Sequence, residues 1–130
     1  MVKINYKINR LLQLAKRNAF KSDSVFRHGS ILVKSGKIIK IGHNNRGFNK
    51  FSNRFRNDGI AGTQHAELRS ILGLDYSITR NSILYVMRIN KNGEFRNSKP
   101  CNMCQNICKF VGVKRIIYTI NNEYVDIIEL

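Results

Sequence analysis

Two short motifs bring together the residue types of a metal centre: His65-Ala66-Glu67 and Pro100-Cys101-Asn102-Met103-Cys104. Each falls where a helix is predicted to open. Cysteines three apart on a helix share a face, so Cys101 and Cys104 can both reach one ion. The positive end of a helix lowers thiol pKa and favours the thiolates that zinc requires. His65 would add an imidazole nitrogen. Two thiolates and one imidazole leave the fourth tetrahedral position open to water, which is the catalytic pattern rather than the structural one. Glu67 lies about 200° round a regular helix from His65 and should not ligate the same ion. If the metal sits off the first turn, flanked by His65 and Glu67, the carboxylate can carry protons between water and substrate.

Other readings of the same residues are available. A Cys-x-x-Cys pair by itself serves as a structural zinc half-site or a redox pair. His65 and Glu67 at a second helix opening separate this chain from those cases. Cys108, four beyond Cys104, reads as a small buried hydrophobe rather than a further ligand. His28 and His43 read as surface or turn residues, His43 with a place at the mouth of the pocket. Three cysteines are an odd number. With no export signal, the chain is expected to sit in a reducing, intracellular compartment, cytoplasmic or nuclear or in a virus, and not to be secreted.

The elements that must position these motifs follow from pattern. Ile4, Ile8, Leu11, Leu12, Ala15 and Ala19 recur at helical spacing, so the basic N-terminus reads as an amphipathic helix in preference to a transit peptide. Residues 29–36 and 37–42 read as two strands joined at Ser35-Gly36. Residues 43–64, rich in Asn and Gly, read as a long loop, uncommon in a compact domain and usually functional. A helix is expected over 65–74, with Ala66, Ile71, Leu72 and Leu74 inward, and a strand over 82–89. Asn92-Gly93 signals a hairpin into Glu94-Phe95-Arg96. Pro100, the only proline, is expected at the first position of a helix running from Cys101 to Phe110, with Gly112 ending it. Strands over 114–120 and 124–128 would join through left-handed Asn121-Asn122. The whole, 1–130, reads as one α/β domain, an α-β-α sandwich with a mixed sheet of about five strands. No stretch approaches the length of a membrane span.

The composition adds a partner class. Lys and Arg number 23 against 8 acidic residues, a formal charge of +15. Such an excess favours polyanions.

At this point the paired motifs carry a resemblance. His-x-Glu followed by Pro-Cys-x-x-Cys is similar to the signature of the cytidine deaminase-like superfamily, zinc enzymes acting on cytidine, deoxycytidylate, tRNA adenosine or polynucleotide cytosine. The resemblance implies Zn²⁺ on His65, Cys101 and Cys104, with Glu67 as acid and base. It implies hydrolytic loss of ammonia from the carbon that bears the exocyclic amine. Gly42-His43-Asn44 looks like the family's Gly-x-Asn, making Asn44 a substrate-binding candidate and Asn45 a weaker one. Backbone groups around Ala66 and from Ser98 through Pro100 to Cys101 would meet the pyrimidine and the developing oxyanion, and Thr63 would approach the substrate. Dimers or tetramers are common in the family, so a homo-oligomer is compatible.

The resemblance also bears on substrate. Asn121-Asn122 leaves no room for a helix between the last two strands, which is similar to the branch ending in an antiparallel hairpin. Arg46, Phe48, Lys50, Phe51, Arg54, Phe55 and Arg56 alternate cations with aromatics, the pattern of a single-strand binding platform. Lys3, Lys7, Arg10, Lys16, Arg17 and Lys21 make the first helix basic as well. The reading is therefore cytosine deamination in single-stranded DNA or RNA. The alternatives are a cytidine, deoxycytidine or dCMP deaminase of nucleotide salvage, and a non-catalytic basic nucleic-acid-binding protein that keeps the fold.

Overall fold

The structure is a computed structural model and describes residues 1–22, 26–44 and 65–130. The expected cation-aromatic platform, from Arg46, Phe48, Lys50 and Phe51 to Arg54, Phe55 and Arg56, lies outside the described residues, as do Asn45 and Thr63.

The chain opens with a short strand β1 (Val2–Lys3) and a helix α1 (Tyr6–Ala19). The Asn5 side chain caps α1 by accepting the Ile8 N–H at 2.8 Å, and Lys16 and Arg17 complement the dipole in its last turn. Leu11, Leu12, Ala15 and Ala19 are buried, as their spacing predicts. Ile4 lies ahead of the helix, where its N–H donates to the Glu123 carbonyl at 2.8 Å.

Strands β2 (Arg27–Lys34) and β3 (Lys37–His43) form the expected hairpin. Ser35 and Gly36 turn it with φ of 51° and 78°, the left-handed pair that matches strand twist. Helix α2 (Ala66–Ile71) is shorter than predicted, and a separate turn of helix, α3 (Tyr76–Thr79), precedes β4 (Ile83–Ile89). Then come β5 (Phe95–Arg96), α4 (Asn102–Phe110), β6 (Arg115–Thr119) and β7 (Tyr124–Glu129). The sheet runs β1-β7-β6-β4-β2-β3, with β5 added to β4. Only β4 and β6 pair in parallel among these described strands. The five strands expected are all present, and β1 and β5 bring the sheet to seven.

Two turns differ from expectation. Asn121 and Asn122 do not adopt positive φ, because a longer loop needs no left-handed pair. The Asn121 carboxamide instead accepts the N–H groups of Glu123 (2.8 Å) and Tyr124 (3.0 Å). The left-handed asparagine is Asn81 (φ 59°), whose N–H reaches the Gly112 carbonyl at 2.8 Å. The last two strands do follow one another with no helix between them.

Alternation along the central strands feeds two cores. Ile31, Val33, Tyr85, Met87 and Ile89 meet α1 on one face. Leu32, Leu84, Val86, Ile116 and Tyr118 meet α2 and α4 on the other, with Leu68, Ile71, Met103 and Ile107. Among the described residues no helix is long and apolar enough to cross a membrane.

Candidate active site

The second face holds both chemistry-bearing motifs. Helix α2 is brought hard against the sheet by two small residues. Ser30 on β2 donates its hydroxyl to the Ala66 carbonyl at 2.5 Å. Gly42 on β3 lies so close that a Cβ there would stand 2.8 Å from the same carbonyl and 2.9 Å from the Ser70 nitrogen. This packing sets the helix start, and therefore His65, beside the ends of β2 and β3.

Helix α4 is anchored through the segment before it. Ser98 is buried, with its hydroxyl 3.1 Å from the Val86 carbonyl and 2.9 Å from Thr119 Oγ1. Its backbone N–H donates to the Thr119 carbonyl at 2.9 Å. Pro100 is buried too, and its carbonyl accepts from the Gln105 side chain at 2.8 Å. Pro100 does not take the first helical position. Cys101 is the N-cap, with extended φ −67° and ψ 164°, and the helix begins at Asn102.

His65 is likewise an N-cap, with φ −75° and ψ 146°. The 200° separation expected on a regular helix therefore does not apply, since His65 stands outside the helix that carries Glu67. Its Nδ1 lies 3.2 Å from Cys104 Sγ, 3.8 Å from Cys101 Sγ and 3.9 Å from Glu67 Oε2. The ligand atoms of His65, Cys101 and Cys104 all fall within 4.8 Å of one another. A tetrahedral zinc with its usual bonds to sulfur and nitrogen needs donors spaced roughly 3.5–3.8 Å apart. The donor set therefore fits zinc, and only small adjustments separate it from ideal spacing.

The thiols do not titrate alike. Cys101 is pulled down to about 4, chiefly by a hydrogen bond from Cys104, with help from His65, against the opposing cost of desolvation. Cys104 is pushed up by that same bond, by burial and by the nearby Glu67 carboxylate. Between the protein groups alone, the pair holds one proton, on the buried sulfur. A lowered pKa for both thiols was the expectation at the helix openings. The bond to Cys101, and after it burial, override the helix end at Cys104, because a shared proton and desolvation both disfavour its thiolate. Burial likewise raises Cys108, which stays a packed hydrophobe in the core.

Zinc bound here would activate a water by lowering its pKa and would polarise it for attack. Glu67 is buried, 3.9 Å from His65 and close enough to Cys104 to raise its thiol. A carboxylate so placed can exchange protons with a molecule held at the open position. The first N–H groups of α2, at Ala66 and beyond, have no earlier turn to bond and point the same way.

A family model for the cytidine and deoxycytidylate deaminase zinc-binding region matches residues 2–120. The chain belongs to that family. The deaminase is similar in structure to the dCMP deaminase of cyanophage S-TIM5, with a TM-score of 0.63 at 22% identity over 90% of this chain and 86% of that one. It is also similar to the cytidine deaminase of Burkholderia pseudomallei, with a TM-score of 0.65 at 17% identity over 97% and 93% of the chains. The cytidine deaminase of Mycobacterium tuberculosis gives 0.56 at 18% identity over 92% and 91%. No curated protein sequence gives a significant match. The family's chemistry and the donor set agree: this is a zinc-dependent hydrolytic deaminase.

Asn44 has a visible structural task. Its Oδ1 accepts the His28 N–H at 2.9 Å and its Nδ2 donates to the Phe26 carbonyl at 2.7 Å, tying the end of β3 to the start of β2. That bridge holds the backbone of His28, which is a half-buried strand residue and not one of a turn or open surface. His28 is held below its usual pKa by burial, and it feels the charges of Glu67, Arg88 and His65. Its position two residues before Ser30, on the strand face that meets α2, is the signal that could have found it. His43 ends β3 half-buried and lines a surface cavity of about 300 Å³ with Asn18, Lys40 and Arg69.

Proposed function

We propose that this chain converts cytosine to uracil by hydrolysis, acting on cytosine within single-stranded DNA or RNA in preference to the free nucleoside. The observation that carries the reaction is Glu67, buried at 3.9 Å from a zinc-donor histidine. His65, Cys101 and Cys104 hold the metal. Glu67 takes a proton from the attacking water and passes protons to the ring nitrogen and to the departing amine. The balance is one water consumed and one ammonia released per uracil formed. First-turn amides at Ala66 and carbonyls between Ser98 and Cys101 would meet the base. Asn44, whose Nδ2 also lies 3.5 Å from His28 Nδ1, would act beside the substrate, and Thr63 stands two residues ahead of the zinc histidine.

The preference for a strand rests on charge. A nucleoside has no charge to attract, whereas the excess of +15 suits a phosphate backbone. The basic-aromatic run from Arg46 to Arg56 precedes the zinc histidine in the chain and would supply cations and stacking faces there. Free deoxycytidylate is the competing substrate, since the cyanophage relative is a dCMP deaminase.

One panel tests the reading: zinc-loaded protein offered cytidine, deoxycytidine, dCMP and cytosine-containing single strands at rising salt. Turnover of strands that weakens steeply with salt supports it. Turnover of nucleoside alone overturns the substrate assignment. Oligonucleotide binding with no uracil formed from any substrate points instead to a non-catalytic nucleic-acid-binding protein.

A further inference from the structure

The strand order brings an unneutralised arginine to the edge of the catalytic face. On β4, Val86 and Arg88 point to the same side, roughly 7 Å apart along the strand. Val86 pairs with Ser30, the residue that grips α2, and its carbonyl meets the Ser98 hydroxyl ahead of α4. Both metal-bearing helices are thus anchored one same-face step from Arg88. Arg88 in turn lies directly opposite His28 on β2 and opposite Arg96 on β5. His28 is the side chain that feels Arg88 on one hand and Glu67 and His65 on the other.

The guanidinium of Arg88 stacks on Phe26, 5.3 Å from the ring centroid, and Phe26 is 61% exposed. Arg88 makes no ion pair with any described residue. Its guanidinium hydrogen-bonds to none of them either. Among the described residues the one acid paired with Arg96 is Glu94, at 3.5 Å, with both side chains over 40% exposed. Like charges directly opposite across antiparallel strands destabilise a sheet. Here two arginines face each other, and among the described residues the one acid paired with either is the half-exposed Glu94 on Arg96. The position calls for an anion that arrives with the substrate.

We infer that Arg88, shelved on Phe26 and flanked by Arg96, is the phosphate-recognition element of the deaminase, taking the phosphate of a pyrimidine nucleotide whose base lies at the metal. The inference rests on the deaminase reading above and adds to it a specificity determinant. A planar guanidinium on an aromatic shelf presents a rigid fork of donors suited to phosphate. The phosphate is either a free monoester or a strand diester, and the two are separable.

The test is binding rather than turnover. The affinities of deoxyuridine, dUMP and a short single strand are measured on zinc-loaded wild-type protein and on Arg88→Gln, Arg88→Lys and Phe26→Leu. Zinc content is checked in each to show that the site is folded. The wild-type protein is expected to prefer dUMP or the strand over deoxyuridine by about 10- to 100-fold, as a charge-assisted bond supplies. In Arg88→Gln that preference collapses toward unity; Arg88→Lys keeps part of it and Phe26→Leu loses part. Loss for dUMP assigns the monoester. Loss for the strand alone, with the salt slope flattened by about 0.7, assigns the diester. Equal weakening of deoxyuridine and its phosphorylated forms, or no change in the zinc-bearing variants, overturns the inference. Uracil formation is scored separately. Arg88-dependent phosphate binding without deamination would fail the functional reading alone, and deamination with unaltered phosphate preference would fail this inference alone.

Discussion

The two faces of one sheet are built from the same strands and do different work. Strand β4 supplies Tyr85, Met87 and Ile89 to the α1 face, and Leu84, Val86 and Arg88 to the face of α2 and α4. The α1 face packs a continuous apolar cluster against a long amphipathic helix, with Thr119 the buried polar group at the end of β6. The opposite face is interrupted by buried polar groups: Ser30, Glu67 and Ser70, with Ser98 in the segment ahead of α4. Each serine hydroxyl there is spent on a backbone carbonyl: Ser30 on Ala66, Ser70 on Glu67 and Ser98 on Val86. The difference teaches that stability and chemistry are divided by side-chain alternation, with period 2, rather than by domain or by segment.

The largest test of that division is Glu67→Gln. It should lower deamination by about 10²- to 10⁴-fold, the worth of a general acid–base group, with one zinc retained and little loss of thermal stability. Metal analysis beside kinetics checks it. On the other face, Leu12 is fully buried. Leu12→Ala should cost about 2–5 kcal/mol of folding stability by denaturant titration and leave the zinc site of the folded protein intact. Zinc lost in proportion to stability would break the comparison.

A matched pair sharpens it. Gly29 and Gly42 both sit where a helix crowds the sheet, on opposite faces. A Cβ at Gly29 would lie 2.5 Å from the Ala15 carbonyl, and one at Gly42 2.8 Å from that of Ala66. Each alanine substitution should cost roughly 1–3 kcal/mol through overpacking. Gly42→Ala should also weaken zinc binding, because α2 carries His65 at its start. Gly29→Ala should not. Competition with a chromogenic chelator reads the difference.

The smallest effect is one of reactivity. Cys101 is exposed and its thiol lies at about 4, whereas Cys104 and Cys108 are buried and raised. In chelator-treated protein, alkylation near pH 6 should mark Cys101 first, as mass spectrometry of the peptides will show. The sign follows from linkage. Between pH 4 and about 9 the folded chain holds a thiolate where the unfolded chain holds a thiol, so this group's stabilisation is complete at alkaline pH and is lost as pH falls toward 4.

Much of this was legible beforehand because the signals are local. The Cys-x-x-Cys spacing, the apolar spacing of α1 and the Ser35-Gly36 turn each lie within one element or one turn. The misses have local causes as well. A two-residue strand such as β1 carries no periodicity to read and exists because β7 offers an open edge, whereas β5 follows the hairpin that Asn92-Gly93 signals. His65 and Cys101 were placed inside their helices because capping depends on where α2 and α4 dock. His28 reads as a surface or turn residue, and Arg88 draws no notice, because nothing within either segment says that the two are opposite.

By itself the amino-acid sequence determined which atoms are available: two thiols, an imidazole and a carboxylate, at spacings that one ion and one proton carrier can use. It also determined the large positive charge that any substrate must meet. Tertiary structure alone decided that motifs 34 residues apart, from Glu67 to Cys101, share one pocket. It decided as well that only one of the two thiols is acidic, and that an arginine with no ion pair among the described residues stands opposite His28. The reason is physical. Ligand identity is a property of single residues, whereas burial, register and opposing charge arise only when strands distant in sequence are laid side by side.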